Sequence, residues 1–325
     1  MADRAARRAR REEGAIAVLA ALSMVGVLGF GAVVVDAGAI YAERRQLQNG
    51  SDAAALAVAM QCAAGDCGDT ATAAAELADA NANDGAASVQ QIEILENRVI
   101  VSTATETADG GSGVTHWIAP LLGIDETAVN AGAAADWGGP SAGTSILPLA
   151  ISWCSFFEHT GGGVPSDEIE QTIFYLAEGA SDCVGPSGAA IPGGFGWLEP
   201  DPATCAASSS IATAAPGKPG VSTPTECEPV DFDAIRDETV LLPIYQDAGG
   251  EGSSGWFDIH AYAAFHITGY RFACPPGYRW NDGAGACGSN SERFITGYFT
   301  EFVTLDGAWK FGGPDVGGRV VRLTQ

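Results

Sequence analysis

The side chains best suited to metal or redox chemistry in this 325-residue chain are four histidines and eight cysteines. His260 and His266 lie in the alternating stretch Phe257 to Ile267. Its odd positions (Phe257, Ile259, Ala261, Ala263, Phe265, Ile267) are apolar, which predicts a strand with one buried and one wet face. The two histidines share the wet face six residues apart, about 20 Å along a strand, too far to bind one ion. With only His116 and His159 left, histidines at the surface or packed on a sheet are expected, rather than a metal site or triad. Gly283, Gly285 and Gly288 fit G-x-G-x-x-G, but the pattern contains Cys287 and bridges two predicted strands instead of opening a helix, so a plain loop is expected. The run Asp79, Asn81, Asn83, Asp84, Gly85 has a displaced turn glycine for a calcium loop, and Gln90 stands where the closing glutamate belongs. A helix end is the expectation there. The chain is read as lacking a G-x-S-x-G nucleophile elbow, an H-E-x-x-H helix and a phosphate-binding G-x-x-x-x-G-K-[ST] loop. No catalytic constellation, metal site or cofactor is therefore expected.

The eight cysteines are Cys62, Cys67, Cys154, Cys183, Cys205, Cys227, Cys274 and Cys287. An even count without a C-x-x-C pair points to disulfides in an oxidising compartment before zinc or a redox dithiol. Eight cysteines allow 105 pairings. Sequential pairing is the expectation: Cys62 with Cys67, Cys154 with Cys183, Cys205 with Cys227, and Cys274 with Cys287.

The start of the chain explains how such a domain could reach an oxidising compartment. Arg4, Arg7, Arg8, Arg10 and Arg11 precede an uncharged apolar run from Ala15 to Val35, which as a helix spans about 32 Å, the thickness of a bilayer core. Only Arg44 and Arg45 follow closely. The basic excess thus predicts a cytoplasmic N-terminus and an exported remainder. The competing reading is a cleaved signal peptide at Ala37-Gly38-Ala39, against which stand the length of the apolar core and the adjacent Asp36. Arg10-Arg11 leads into Glu12-Glu13, unlike a twin-arginine signal. Gly26, Gly29 and Gly31 could admit a second helix or simply face lipid. Net charge is −24 although the first 14 residues are net positive, which disfavours nucleic acid and anionic lipid as partners and suits a solvated exported domain.

Helical spacing without proline from Gly38 to Met60 predicts that the membrane helix continues outward as a rod, weakest at Asn49-Gly50. Cys62 to Cys67 closes a loop, and Thr70 to Asn83 predicts a second helix. Val89 to Leu95 and Arg98 to Thr105 flank Glu96-Asn97 as a hairpin. A loop at Asp109 to Gly113, a short helix at Trp117 to Leu122 and a strand at Thr127 to Trp137 follow. From 138 to 229, glycine and proline clusters separate the apolar pieces Ile146 to Phe157, Ile169 to Leu176 and Gly194 to Leu198, which predicts loops tied by disulfides. The final third returns to strands at Phe257 to Ile267 and Phe294 to Leu305. The predicted organisation is a basic cytoplasmic tail (1–14), a transmembrane helix (15–35), a helical rod with a first α/β module (36–137), an irregular region (138–229) and an antiparallel β region (230–325). The class is α+β: one N-terminal transmembrane helix continuing into an exported helix, then a disulfide-linked, mainly antiparallel β-rich domain.

The segment REEGAIAVLAALSMVGVLGFGAVVVDAGAIYAERRQLQNGSDAAALAVA resembles the N-terminal domain of the tight-adherence (Flp) pilus-assembly proteins of the TadE/TadG-like class. The resemblance rests on a glycine before the span, Asp36 closing it, and Leu47-Gln48 preceding Asp52-Ala53-Ala54-Ala55-Leu56-Ala57. ILPLAISWC, GGFGWL, VLLPIYQD and ITGYFTEFV resemble exported regions of actinobacterial members. The resemblance implies a membrane-anchored structural component of pilus assembly without enzymatic activity, whose partners are other pilus-assembly membrane proteins and possibly pilin. Pilin-like members typically carry a glutamate five residues after a processing glycine. Here Leu19 stands five after Gly14, which implies a permanent anchor rather than a filament subunit, and the D-x-S-x-S motif of larger members is absent. Two other classes stay open: an adhesin whose rings Trp256, Tyr262, Tyr270 and Trp280 contact a ligand, and an exported hydrolase.

Overall fold

A computed structural model describes residues 2–83, 85, 87–106, 113–116, 119–175, 183–191, 193–218, 220–250, 254–283 and 292–324. The chain separates into two units. Met1–Val58, Gly68–Ala135 and Leu323–Gln325 form the first, and Ala59–Cys67 with Asp136–Arg322 the second.

The first unit is built on α1 (Ala2–Ala63), one unbroken helix. Its large apolar side chains from Val18 to Val35 are all exposed, whereas Asp36, Glu43, Leu47, Gly50, Ser51, Ala54 and Val58 are buried at spacings of three, four and seven. That is a single helical stripe, and it begins where the apolar run ends. Helix α2 (Thr70–Asn81) starts at Asp69, whose carboxylate accepts the Thr72 N–H, and ends two residues before the expected Asn83. Strands β1 (Ala87–Ile94) and β2 (Arg98–Thr105) pair antiparallel from Ala87–Thr105 to Ile94–Val99. In β2 the alternate residues Val99, Val101, Thr103 and Thr105 are buried, the half-buried pattern of a strand with one face on a core. A short pair, β3 (Val114–Thr115) and β4 (Glu126–Thr127), brackets a 3₁₀ turn at Ala119–Leu122. The expected loop at 109–113 lies outside the described residues apart from Gly113.

Strand β5 (Asn130–Ser145) neighbours β2 and is longer than the 127–137 expected, running straight through Gly138-Gly139-Pro140. The glycines there do not break the strand; they make room for a neighbour. A Cβ on Gly139 would lie 2.2 Å from the Pro314 carbonyl oxygen, and one on Gly143 2.2 Å from the Trp309 ring.

In the second unit follow β6 (Leu149–Ser152), α3 (Trp153–Thr160), β7 (Gln171–Phe174), β8 (Phe195–Trp197), β9 (Ala207–Ser210), β10 (Ala215–Pro216) and α4 (Pro229–Asp233). Then come β11 (Thr239–Gly249), β12 (Trp256–Arg271), β13 (Arg279–Trp280), β14 (Phe294–Thr300), β15 (Phe302–Thr304), β16 (Lys310–Gly313) and β17 (Gly318–Thr324). The main sheet has the order β7-β14-β12-β11-β6-β8, antiparallel except between β11 and β6. Tyr175, directly after β7, bridges to Phe195 at the start of β8, so the two ends of the sheet meet and it curls on itself. A mainly aliphatic and aromatic core fills one side, with Leu149, Ile151, Phe195, Phe265 and Ile295 among its members. On the other face, Ala150, Tyr245, Tyr262 and Ala264 pack with Ala207, Trp309 and Val320.

This second core corrects the one-sided reading of Phe257 to Ile267. Tyr262 and Ala264, assigned to the wet face, are fully buried because β9, β16 and β17 supply a second layer over them. The strand expected over Phe294 to Leu305 is also two, split at Glu301: β14 stays beside β12, while β15 turns to pair parallel with β17. Arg319 holds that turn through Glu301 at 2.6 Å and Asp315 at 2.8 Å. Disulfides join Cys62–Cys67, Cys154–Cys183 and Cys205–Cys227. Cys274 is disulfide-bonded, and Cys287 lies outside the described residues.

Candidate functional site

The polar residues that punctuate α1 are where the first unit is fastened to it. The Asp36 carboxylate, at the end of the apolar run, accepts the N–H of Ala119 at 2.9 Å, which ties the start of the 3₁₀ turn to the helix. One heptad on, Glu43 accepts the Thr105 hydroxyl at 2.7 Å. Leu47 is buried with Ala78, Ala87 and Val129, so its side chain is gripped by α2, β1 and the approach to β5. Its carbonyl lies 2.9 Å from Ser51 Oγ and 3.1 Å from Thr103 Oγ1, and those two hydroxyls are 2.8 Å apart. Two hydroxyl protons serve three contacts there, a closed network with every member buried. Gln48 donates to Asp52 at 2.8 Å and to the Gly132 carbonyl at 3.2 Å.

Residues 14–61 match the Tad family, described as Flp pilus-assembly TadE/G-like. No curated protein and no solved structure matches the chain. The Tad segment therefore covers the apolar run together with most of the buried stripe that carries the module. The helix from Ala17 to Ala63 is long and apolar enough to cross a membrane, and its most apolar stretch is not buried.

Within the Tad segment, Asp36, Leu47, Gln48 and Asp52 all face the first unit. Glu43, Gln46 and Ser51, not singled out in the sequence, do so as well, and so does Gly50, which was marked there only as a weak point of the helix. Gln46 accepts the Asn83 N–H at 2.8 Å, and a Cβ on Gly50 would meet the backbone of Ala78 at 3.2 Å. The signal for Glu43 and Ser51 was available: each falls seven or four residues from a motif position on the same helical face. Beside Gln48 and Asp52 lies a cavity of about 530 Å³, lined also by Ile100, Gly132, Ala133 and Leu323.

The chemistry-bearing histidines are engaged in local packing and hydrogen bonds. His260 packs edge-on against Trp153, and burial depresses its pKa against the weaker pull of Asp258. His266 contacts Thr239 through Nδ1 and Asp237 through Nε2, and stacks on Tyr298. His116 contacts Thr127. Among the described residues no group of three or more His, Cys, Asp or Glu is placed to hold a metal ion. G-x-S-x-G does occur, at Gly139-Pro140-Ser141-Ala142-Gly143, contrary to expectation. It makes no elbow: the pentapeptide is extended within β5, and the Ser141 hydroxyl donates to the carbonyls of Lys310 and Phe311 instead of a base.

Of the acidic run after α2, Asp79 accepts the Ala82 N–H through its carbonyl and the Asn81 side chain donates to Leu77, a helix-end arrangement; Asp84 lies outside the described residues. Gly285 and Gly288 also lie outside them. The four rings suggested as an adhesive face do not form one. Tyr262 and Tyr270 are fully buried and Trp280 packs on the core, which leaves Trp256 as the exposed member.

Proposed function

We propose that the chain is a membrane-anchored structural component of Flp/Tad pilus assembly or of the related secretion machine, and that it does no catalysis of its own. The supporting observation is the abrupt change along one continuous helix, from wholly exposed apolar side chains through Val35 to a buried, hydrogen-bonded stripe from Asp36. Exposed apolar surface of that length is stable in lipid and costly in water. Asp36 then sits at the membrane boundary, and the Tad segment is both the anchor and the post on which the exported module folds.

On this reading residues 1–14 stay in the cytoplasm, 15–35 cross the membrane, and the regions 36–137, 138–229 and 230–325 lie outside, where disulfides persist. A Cβ built on Gly26, Gly29 or Gly31 would meet nothing within 4 Å beyond its own helix, so these positions leave the backbone open to a partner helix. The partners are other membrane proteins of the pilus machine. A photoreactive residue placed at Val27 or at Ile100 in living cells should trap such a protein, identified by mass spectrometry. Crosslinks confined to lipid and to unrelated envelope proteins would count against the proposal.

A further inference from the structure

Beyond its first 14 residues the chain has one adjacent pair of basic residues, Arg44 and Arg45, about two and a half helical turns past the end of the apolar run. Both are exposed. The chain carries 40 Asp and Glu against 16 Lys and Arg, and Lys218, Arg236, Arg271, Arg279 and Arg319 all pair with carboxylates. Arg44 and Arg45 have no carboxylate partner among the described residues: Glu43 turns the other way, to Thr105, and Asp52 is held by Gln48.

Arg45 instead folds back along the helix. Its Nε and Nη2 donate to the Tyr41 hydroxyl at 3.0 and 2.7 Å, four residues nearer the apolar run. The phenol oxygen accepts both, so its own proton remains to be donated. With the Arg45 Nη1 and the whole Arg44 guanidinium, that makes a cluster of exposed donors carrying two positive charges. Guanidinium forks of this kind match the oxygens of a phosphate.

Position decides which phosphate. With Asp36 at the membrane boundary, Tyr41 lies about 7.5 Å beyond it, and the headgroup layer is about 5–8 Å deep. Helical side chains lean toward the N-terminus, so Arg44 and Arg45 reach back toward that layer. The same helical face continues into the span, opposite the buried stripe that carries the module. Below Tyr41 come Ala37 and Gly38, both exposed, and a Cβ on Gly38 would meet nothing within 4 Å. Below these come the exposed side chains of Val34 and Phe30. Apolar, then small, then rich in donors is the order of acyl chain, glycerol and phosphate in a phospholipid. A zwitterionic headgroup would bring an ammonium beside two guanidiniums, which favours a headgroup of net negative charge.

We propose that Tyr41, Arg44 and Arg45 bind the phosphate of an anionic phospholipid in the outer leaflet, with an acyl chain lying along Val34 and Phe30. This rests on the reading of α1 as a membrane anchor. The net charge of −24 repels anionic lipid from the exported surface as a whole, and this face is the local exception.

The test uses the full chain in phosphatidylcholine liposomes that contain a minor share of phosphatidylglycerol with a photoreactive headgroup, the crosslinked peptides being mapped by mass spectrometry. Resistance to carbonate extraction reports insertion separately. The expected result is crosslinking between Ala37 and Gln48, competed by unlabelled phosphatidylglycerol but not by phosphatidylcholine or inorganic phosphate, and reduced about tenfold in the Arg44→Gln, Arg45→Gln variant. Crosslinks to the arginine-rich tail before Gly14, which the variant leaves unchanged, are the internal standard. In inserted protein, crosslinking of this segment that is absent, that survives the double substitution, or that yields equally to phosphatidylcholine or to inorganic phosphate overturns the lipid site and leaves the anchor reading intact. Protein that carbonate extracts overturns both.

Discussion

Ser51 and Thr103 show how a single residue pair can decide whether the first unit stays fastened to its helix. Both are fully buried and share the Leu47 carbonyl. Ser51→Ala removes one proton from the network and leaves Thr103 to satisfy the carbonyl alone. A loss of about 1–3 kcal/mol is expected, read from denaturant unfolding of the first unit's signal. In a double-mutant cycle with Thr103→Val the two changes should be non-additive, since they act on one network.

The second residue-scale prediction concerns pH. The Asp282 side chain is largely shielded from water, which alone would push its carboxyl up, but hydrogen bonds and charge from Arg271 at 2.6 Å and Arg279 at 3.1 Å outweigh this and hold it below the usual range. A depressed folded-state pKa stabilises the fold fully above the unfolded value of about 3.9, and that stability fades as pH falls further, toward the folded value. The melting temperature should therefore drop below about pH 4. Asp282→Asn should be less stable at neutral pH and show a shallower drop.

At the scale of elements, α1 carries the account. Its length and its division into an apolar run and a polar-coded continuation were legible, because helical periodicity and bilayer thickness are local properties of the sequence. The hairpin β1–β2 was legible for the same reason. Gly50 was misjudged. It looked like the weak point of a free rod, and is instead a place where α2 packs close, with the Ala78 Cα 3.2 Å from any added Cβ. In an exposed helix, replacing this glycine would help by about 1 kcal/mol. Here Gly50→Leu should cost about 1–3 kcal/mol by forcing α2 away, seen as a lower denaturation midpoint. A similar gap hid the length of β5, whose second half fell in the region expected to be irregular from residue 138, whereas Gly139 and Gly143 serve close approaches to Pro314 and Trp309. Spacing along the chain does not reveal which distant segment will arrive beside a glycine.

At the scale of the whole molecule, the mainly antiparallel sheet and the use of cysteine for bridges were foreseeable from composition and compartment. The closing contact of Tyr175 with Phe195 and the second layer over Tyr262 were not, since both join residues far apart in sequence whose local patterns carry no trace of the partner. The docking site was half visible. Asp36, Leu47, Gln48 and Asp52 were singled out by resemblance, Glu43 and Ser51 share their helical face and could have been read from spacing, and the close approach at Gly50 needed the packed structure. The central claim is that this chain serves pilus assembly from the membrane, with the Tad segment as anchor and post. Its most direct test is a count of surface pili by electron microscopy in cells deleted for the gene and complemented in turn with the wild-type chain and with the Leu47→Ala, Ser51→Ala double variant. The account predicts loss of pili on deletion, recovery with wild type, and poor recovery with the variant at equal protein level. Normal piliation in the deleted cells would contradict it.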